Sequence, residues 1–231
     1  MRKTTIINDN WLFRYHDGTE TKLDLPHTWN NLDGQDGGGD YWRGTCVYEK
    51  TFPMPAHGPK ELVYLQFDGV NSQAEVVLNG QNICAHEGGY STFRVNITNH
   101  LKPQNHLLVE VDNSVNDRVY PQKADFTFYG GIYRDVNIVC VSQSHFDLDF
   151  FGGPGIKVTP TVNGDHANVE IEVWTNNAEG KFLTYTITDA AGDVVAEAIQ
   201  NGEIVRLGEL CTLQVGLSGK GAVTEEDYTT D

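Results

Sequence analysis

Glu61-Leu-Val-Tyr-Leu-Gln-Phe-Asp-Gly-Val70, followed closely by Ala74-Glu-Val-Val-Leu-Asn-Gly80, decides the fold. Val63, Leu65 and Phe67 alternate along the first run, and Ala74, Val76 and Leu78 along the second. A period of two places each set on one face of a pleated strand. Asn79-Gly80 supplies residues that tolerate positive φ, as a two-residue hairpin requires, so the chain is expected to turn back through Gln81 to His86.

The same pattern extends in both directions. Upstream lie Trp11 to Tyr15, ending at Asp17-Gly18, and Thr21 to Trp29, where Leu23 and Leu25 alternate and Pro26 closes the strand. Tyr41 to Phe52 reads as one long strand beyond a polar, glycine-rich loop over residues 30–40, which suits a ligand loop or simple padding. Downstream come Arg94 to Ile97, Leu107 to Asn113, and Asp125-Phe-Thr-Phe-Tyr-Gly-Gly-Ile-Tyr-Arg-Asp-Val-Asn-Ile138, which turns through Gly130 and Gly131 into an apolar strand from Ile132. About eight or more strands by residue 141 predict a jelly-roll β-sandwich over residues 1–141. From 142 to 231 shorter strands, with a hairpin turn at Ala190-Ala-Gly-Asp193, predict an immunoglobulin-like β-sandwich without a Cys-Trp-Cys framework. The chain is therefore expected to be all-β.

Sixteen basic against 32 acidic residues give a net charge of -16 over 231 residues. That balance argues against nucleic acid or an anionic membrane as partner and fits neutral ligands. The N-terminus lacks the apolar run of a signal peptide, and no stretch of about eighteen apolar residues occurs, so a cytoplasmic protein, or one whose leader has been removed, is expected. Cys46, Cys84, Cys140 and Cys211 stand far apart, which points to buried free thiols in a reducing compartment rather than a zinc or redox site.

Two clusters are candidates for ligand contact. The Gly130-Gly131 corner brings Asp125, Phe126, Phe128 and Tyr129 together, either as the rim of a sugar site or as a bulge with a packed aromatic corner. Tyr41, Trp42 and Arg43 offer flat apolar surface beside hydrogen-bonding groups, the combination that binds sugar CH faces and hydroxyls. An aromatic core lid fits the same residues. His27 and His86 sit in strand or turn phrases where structural roles predominate, His27 fixing the turn after Pro26. Glu87 reads as a solvated turn acid, and Arg134 with Asp135 as a sheet-edge ion pair.

Several phrases carry a resemblance. Leu25-Pro-His-Thr-Trp29, Tyr64-Leu-Gln-Phe-Asp-Gly-Val70 with Glu75-Val-Val-Leu-Asn-Gly80, His86-Glu-Gly-Gly-Tyr-Ser-Thr-Phe93, Val111-Asp-Asn113 and Tyr129-Gly-Gly-Ile-Tyr-Arg-Asp135 resemble the N-terminal sugar-binding domain of glycoside hydrolase family 2. This is the family of β-galactosidases, β-glucuronidases and β-mannosidases. The second unit resembles, by position and strand pattern, the immunoglobulin-like domain that follows there. After Gln200 the family's aromatic closing strand is not found, so the last strands are expected to be missing, altered or replaced.

The resemblance implies that catalysis belongs to a (β/α)8 barrel whose two glutamates, roughly 5 Å apart, hydrolyse β-glycosides with retention. No such region is present here, and this chain alone is expected to be inactive. It further implies that Asp125 reaches toward a sugar hydroxyl or a sodium ion in the full-length enzyme, with no other cofactor, and that Arg43, Tyr41 and Trp42 lie near a second approach to that pocket. Asp125, Arg43, Trp42, Tyr41 and Tyr129 form the expected sugar-contact set, with no catalytic residue and no metal ligand set. The expected partners are a β-glycoside and the barrel. An apolar face without its barrel also predicts self-association into a homo-oligomer. The alternatives are a stand-alone carbohydrate-binding module, with Trp42, Tyr41, Phe128 and Tyr129 as a stacking platform, and a scaffold fragment without a ligand.

Overall fold

A computed structural model describes residues 2–33, 40–119, 127–148, 152–164, 166–181, 183–200 and 209–216. The chain divides into two compact units, Met1–Ser142 and Gln143–Asp231.

The first unit contains β1 (Lys3–Ile6), β2 (Trp11–Arg14), β3 (Glu20–Leu23), β4 (Thr45–Pro53), β5 (Glu61–Phe67), β6 (Gln73–Leu78), β7 (Gln81–Glu87), β8 (Phe93–Asn96), β9 (Gln104–Asp112) and β10 (Val136–Ser142). Six of these form a sheet in the order β3-β2-β4-β9-β6-β7, and four form a second in the order β1-β10-β5-β8. Pairing β4 with β9 and β5 with β10 joins segments far apart in sequence, and the unit is a jelly-roll sandwich. Tyr48, Val76, Leu78, Val109 and Val111 from the larger sheet share one core cluster with Val63, Leu65, Phe67, Val136 and Ile138 from the smaller. Each large apolar side chain so buried contributes roughly 1.5–3 kcal/mol, which makes this inter-sheet layer the main support of the unit.

Three expectations about strand limits are corrected. β4 begins at Thr45, so Tyr41, Trp42 and Arg43 precede the ladder as an irregular approach. The reason is visible locally: the Trp42 carbonyl and the Gly44 N–H are taken by asparagine side chains instead of a neighbouring strand. The strand entering from the glycine corner starts at Val136 rather than Ile132, although Ile132 is itself buried. β3 ends at Leu23, before Pro26, whose peptide bond with Leu25 is cis.

The second unit contains β11 (His145–Phe146), β12 (Ile156–Asn163), β13 (His166–Val173), β14 (Thr175–Asn176), β15 (Leu183–Thr188), β16 (Val194–Gln200) and β17 (Glu209–Gly216). β12, β13 and β17 form one sheet, and β15 with β16 a hairpin. Asp189 closes that hairpin, its carboxylate accepting from the backbone N–H groups of Ala191 at 2.9 Å and Asp193 at 3.0 Å. Val169, Ile171 and Val173 of β13 pack with Tyr185 and Ala196 of the hairpin, giving an immunoglobulin-like sandwich. Beyond Gln200, β17 pairs with β13 from Glu209 through Gly216 and carries no tryptophan.

Cys46 and Cys140 are buried free thiols and Cys84 is half-buried, while the side chain of Cys211 lies outside the described set. Burial pushes the Cys46 thiol up to about 12, which keeps it protonated.

Candidate functional site

The corner at Gly130-Gly131 is fixed by close approach. Gly131 has φ of +124°, and a Cβ there would stand 2.6 Å from the His27 carbonyl oxygen and 2.7 Å from the Tyr48 hydroxyl. A Cβ on Gly130 would stand 2.4 Å from Cζ2 of Trp29 and 2.6 Å from Nδ2 of Asn113. Only glycine fits either position without displacing a neighbour. Gly131 exchanges both backbone hydrogen bonds with Asn71, and the Asn71 side chain donates to the Tyr129 carbonyl at 2.8 Å. Phe128 is buried by this arrangement at 5% exposure, whereas the Tyr129 side chain is left at 43%. The corner is thus a packed bulge that still presents one aromatic ring, and Phe128 cannot belong to an exposed platform.

Below the corner, Nδ1 of His27 lies 2.8 Å from the buried Tyr48 hydroxyl, and the His27 N–H donates to the Ile132 carbonyl at 2.8 Å. Burial pulls the imidazole pKa down to about 4, so the ring is neutral near pH 7 and serves the turn.

Asn30 and Asn113, both fully buried, join the corner to the approach that carries Tyr41 to Arg43. Asn113 donates to Oδ1 of Asn30 at 3.1 Å, and that oxygen also accepts from the Gly130 N–H at 2.8 Å. Nδ2 of Asn30 donates to Asp33 at 2.6 Å and to the Trp42 carbonyl at 2.9 Å. Oδ1 of Asn113 accepts from the Gly44 N–H at 2.9 Å. Asp33 completes the arrangement by accepting from the Trp42 N–H at 2.9 Å. In the sequence Asn30 reads as a loop residue and Asn113 as the end of a strand. Their only signal there is Asn113's place in the Val-Asp-Asn phrase.

On the approach, the Arg43 guanidinium stacks over the Tyr41 ring at 3.8 Å and pairs with Asp40 at 2.9 Å. Nε of Arg43 is buried without a hydrogen-bond partner among the described residues, as is Nε1 of Trp29. Hydrogen bonding from Arg43 holds the Asp40 carboxyl below its ordinary range. Trp42 is placed differently. Its ring stacks on His16 at 4.2 Å, meets Trp29 edge-on at 6.1 Å, and lies where a Cβ on Gly44 would come within 2.6 Å. Trp42 is thus partly buried and packs against the core.

The structure brings Tyr41, Trp42, Arg43 and Tyr129 onto loops joined by one buried amide pair; Asp125 and Phe126 lie outside the described residues. Among the described residues no group of three or more His, Cys, Asp or Glu is arranged to hold a metal ion. His86 stacks on Phe93 at 4.1 Å. Glu87 is exposed at the end of β7, as a solvated acid would be, and pairs with Arg118. Arg134 lies over Tyr133 while Asp135 accepts from Asn8, so the expected ion pair between Arg134 and Asp135 does not form. The sequence reading also missed a cleft of about 220 Å³ on the larger sheet, lined in part by Thr45, Gln73, Glu75, His86, Glu110 and Asp112. Glu75 and Glu110 stand directly opposite each other there.

Comparison with known proteins gives these loops a context. The chain is 35% identical over 206 residues to a β-glucuronidase of Bacteroides fragilis, covering 85% of this chain and 30% of that protein. It is 28% identical over 239 residues to a β-galactosidase of Thermoanaerobacterium thermosulfurigenes, covering 91% of this chain and 33% of that protein. Among solved structures, an FMN-binding β-glucuronidase from Facaelibacterium prausnitzii L2-6 superposes with a TM-score of 0.82 at 36% identity, over 99% of this chain and 38% of that one. A Bacteroides uniformis β-glucuronidase superposes with a TM-score of 0.76 at 30% identity, over 93% of this chain and 27% of that one. The chain thus spans about a third or less of the curated relatives it matches. Residues 40–163, more than half of the 231, match the glycosyl hydrolase 2 galactose-binding domain-like family, and with the jelly-roll fold and its glycine corner this places the chain in glycoside hydrolase family 2, as a galactose-binding-domain-like region.

Proposed function

We propose that this chain is the non-catalytic N-terminal region of a family 2 β-glycosidase, supporting a catalytic barrel and contributing contacts to the sugar unit held there. The observation that carries the reading is the joining of two ligand-capable loops. An exposed aromatic ring at Tyr129 and the stacked Tyr41–Arg43 pair are tethered to the same buried Asn30–Asn113 bridge. Aromatic faces suit sugar CH groups, and a guanidinium suits a hydroxyl or ring oxygen. Side chains held in place before binding lose little entropy when the sugar arrives.

In the whole enzyme Asp125 would orient the glycone, and bond cleavage by double displacement would belong to the barrel. The family resemblance implies that the Asp125 carboxylate would serve either a sugar hydroxyl or a sodium ion. Buried free thiols are consistent with a reducing compartment, and we place the protein in the cytoplasm. A second reading, a free-standing carbohydrate-binding module, is favoured by the exposure of Tyr129.

Titration of the chain with galactose, glucuronate and methyl β-glycosides, followed by ligand-observed NMR, separates the two. Saturable binding that Tyr129→Ala abolishes identifies an autonomous module. Binding that requires the chain to be joined to its barrel identifies the first reading. No binding in either form, or binding indifferent to Tyr129 and Arg43, contradicts both.

A further inference from the structure

The irregular approach over residues 41–44 has no strand ladder of its own. Its backbone bonds run to Asp33 from the Trp42 N–H, to Asn30 and Asn113 from the Trp42 carbonyl, and to Asn113 from Gly44. The glycine corner has one anchor on Asn71 and a second on Asn30 through the Gly130 N–H. The two loops meet at a buried junction in which Asn30 reaches both, through the Gly130 N–H and the Trp42 carbonyl, and Asn113 donates to the same Asn30 Oδ1 at 3.1 Å. Asn30 turns its two amide ends to opposite sides of the junction, whereas Asn113 bonds Gly44 and Trp42 on the approach and reaches the corner through Asn30. With both side chains fully buried, water cannot replace a lost partner locally, and removal of one amide leaves several orphaned groups.

We propose that the Asn30–Asn113 pair is a clasp that makes the two loops one cooperative unit, so that a sugar ordering one loop also orders the other. The role of the sugar rests on the function proposed above, while the clasp rests on the hydrogen bonds alone. Asn30 and Asn113 are positioning residues that do not touch ligand.

Backbone hydrogen exchange read by NMR tests the clasp through the amides each variant does not touch. Asn30→Ala removes the partner of the Gly130 N–H but leaves the bond from Gly44 to Asn113. The clasp predicts that Gly44 nevertheless loses protection by about tenfold or more, and that Asn113→Ala does the same at Gly130. A variant that loosens only its own partner amide overturns the proposal.

Should either variant fail to fold, native-state exchange of the unmodified chain in low urea decides the matter. One shared opening free energy and urea dependence for Gly44 and Gly130 supports the clasp, and distinct values overturn it. Methyl β-glycosides supply the ligand arm. Slowed exchange at both amides in the unmodified chain, but at only one in Asn113→Ala, supports transmission between the loops, and equal slowing in both proteins contradicts it. Absence of binding counts against the sugar reading and leaves the clasp to the exchange data.

Discussion

At Gly131 the His27 carbonyl and the Tyr48 hydroxyl leave less room than a methyl group needs, and the backbone lies in a region that other residues rarely adopt. Gly131→Ala is expected to lower stability by about 3 kcal/mol through backbone strain and displacement of that floor, measured by urea unfolding. A change below about 0.5 kcal/mol would show that the corner yields freely. His27 supplies a pH dependence. Its folded pKa of about 4 lies below the unfolded value near 6.5, so the unfolded chain binds more protons between those limits. Its contribution is complete above pH 6.5 and falls away as the pH drops toward 4, by roughly 2 kcal/mol once solvent screening is allowed for. His27→Gln should flatten urea midpoints across that window, and an unchanged slope would contradict the assignment. The glycine corner was legible in the sequence because paired glycines announce a close approach. Asn30 and Asn113 were not, because an asparagine in a loop signals a turn and says nothing of a partner 83 residues away.

Among the elements, the sequence was most informative where one face is buried and the other wet. β4 and β9 alternate buried and exposed residues almost without break, and their register follows from it. β1 carried no such signal. All four of its residues are exposed, and it is held at the sheet edge by backbone pairing with β10. The approach over residues 41–44 reads as a strand from its aromatic residues, yet side-chain amides hold its backbone groups in place of a ladder. Trp42 shows the limit of reading a ligand platform from composition. A tryptophan next to a glycine serves a sugar or a core equally well in the sequence, and its packing on His16, Trp29 and Gly44 shows itself only in the fold.

On the scale of the whole chain, the described cores of the two units are unequal. The first unites both sheets through side chains as large as Trp11, Tyr48 and Phe67, whereas the described core of the second rests on Val169, Ile171, Val173, Tyr185 and Ala196. Hydrophobic stabilisation scales with the apolar area removed from water, so scanning calorimetry is expected to resolve two transitions with the second unit melting first. Amide exchange assigns each transition to its unit, and a single transition shared by all amides would contradict their independence.

The most direct measurement of the proposed function is steady-state kinetics on the protein that joins this chain to its barrel, with Asp125→Ala as the variant. A KM raised roughly tenfold for a lost glycone hydrogen bond, with the melting temperature unchanged, is the predicted result. A KM and kcat both equal to those of the unmodified enzyme would contradict a sugar-contacting role for this region.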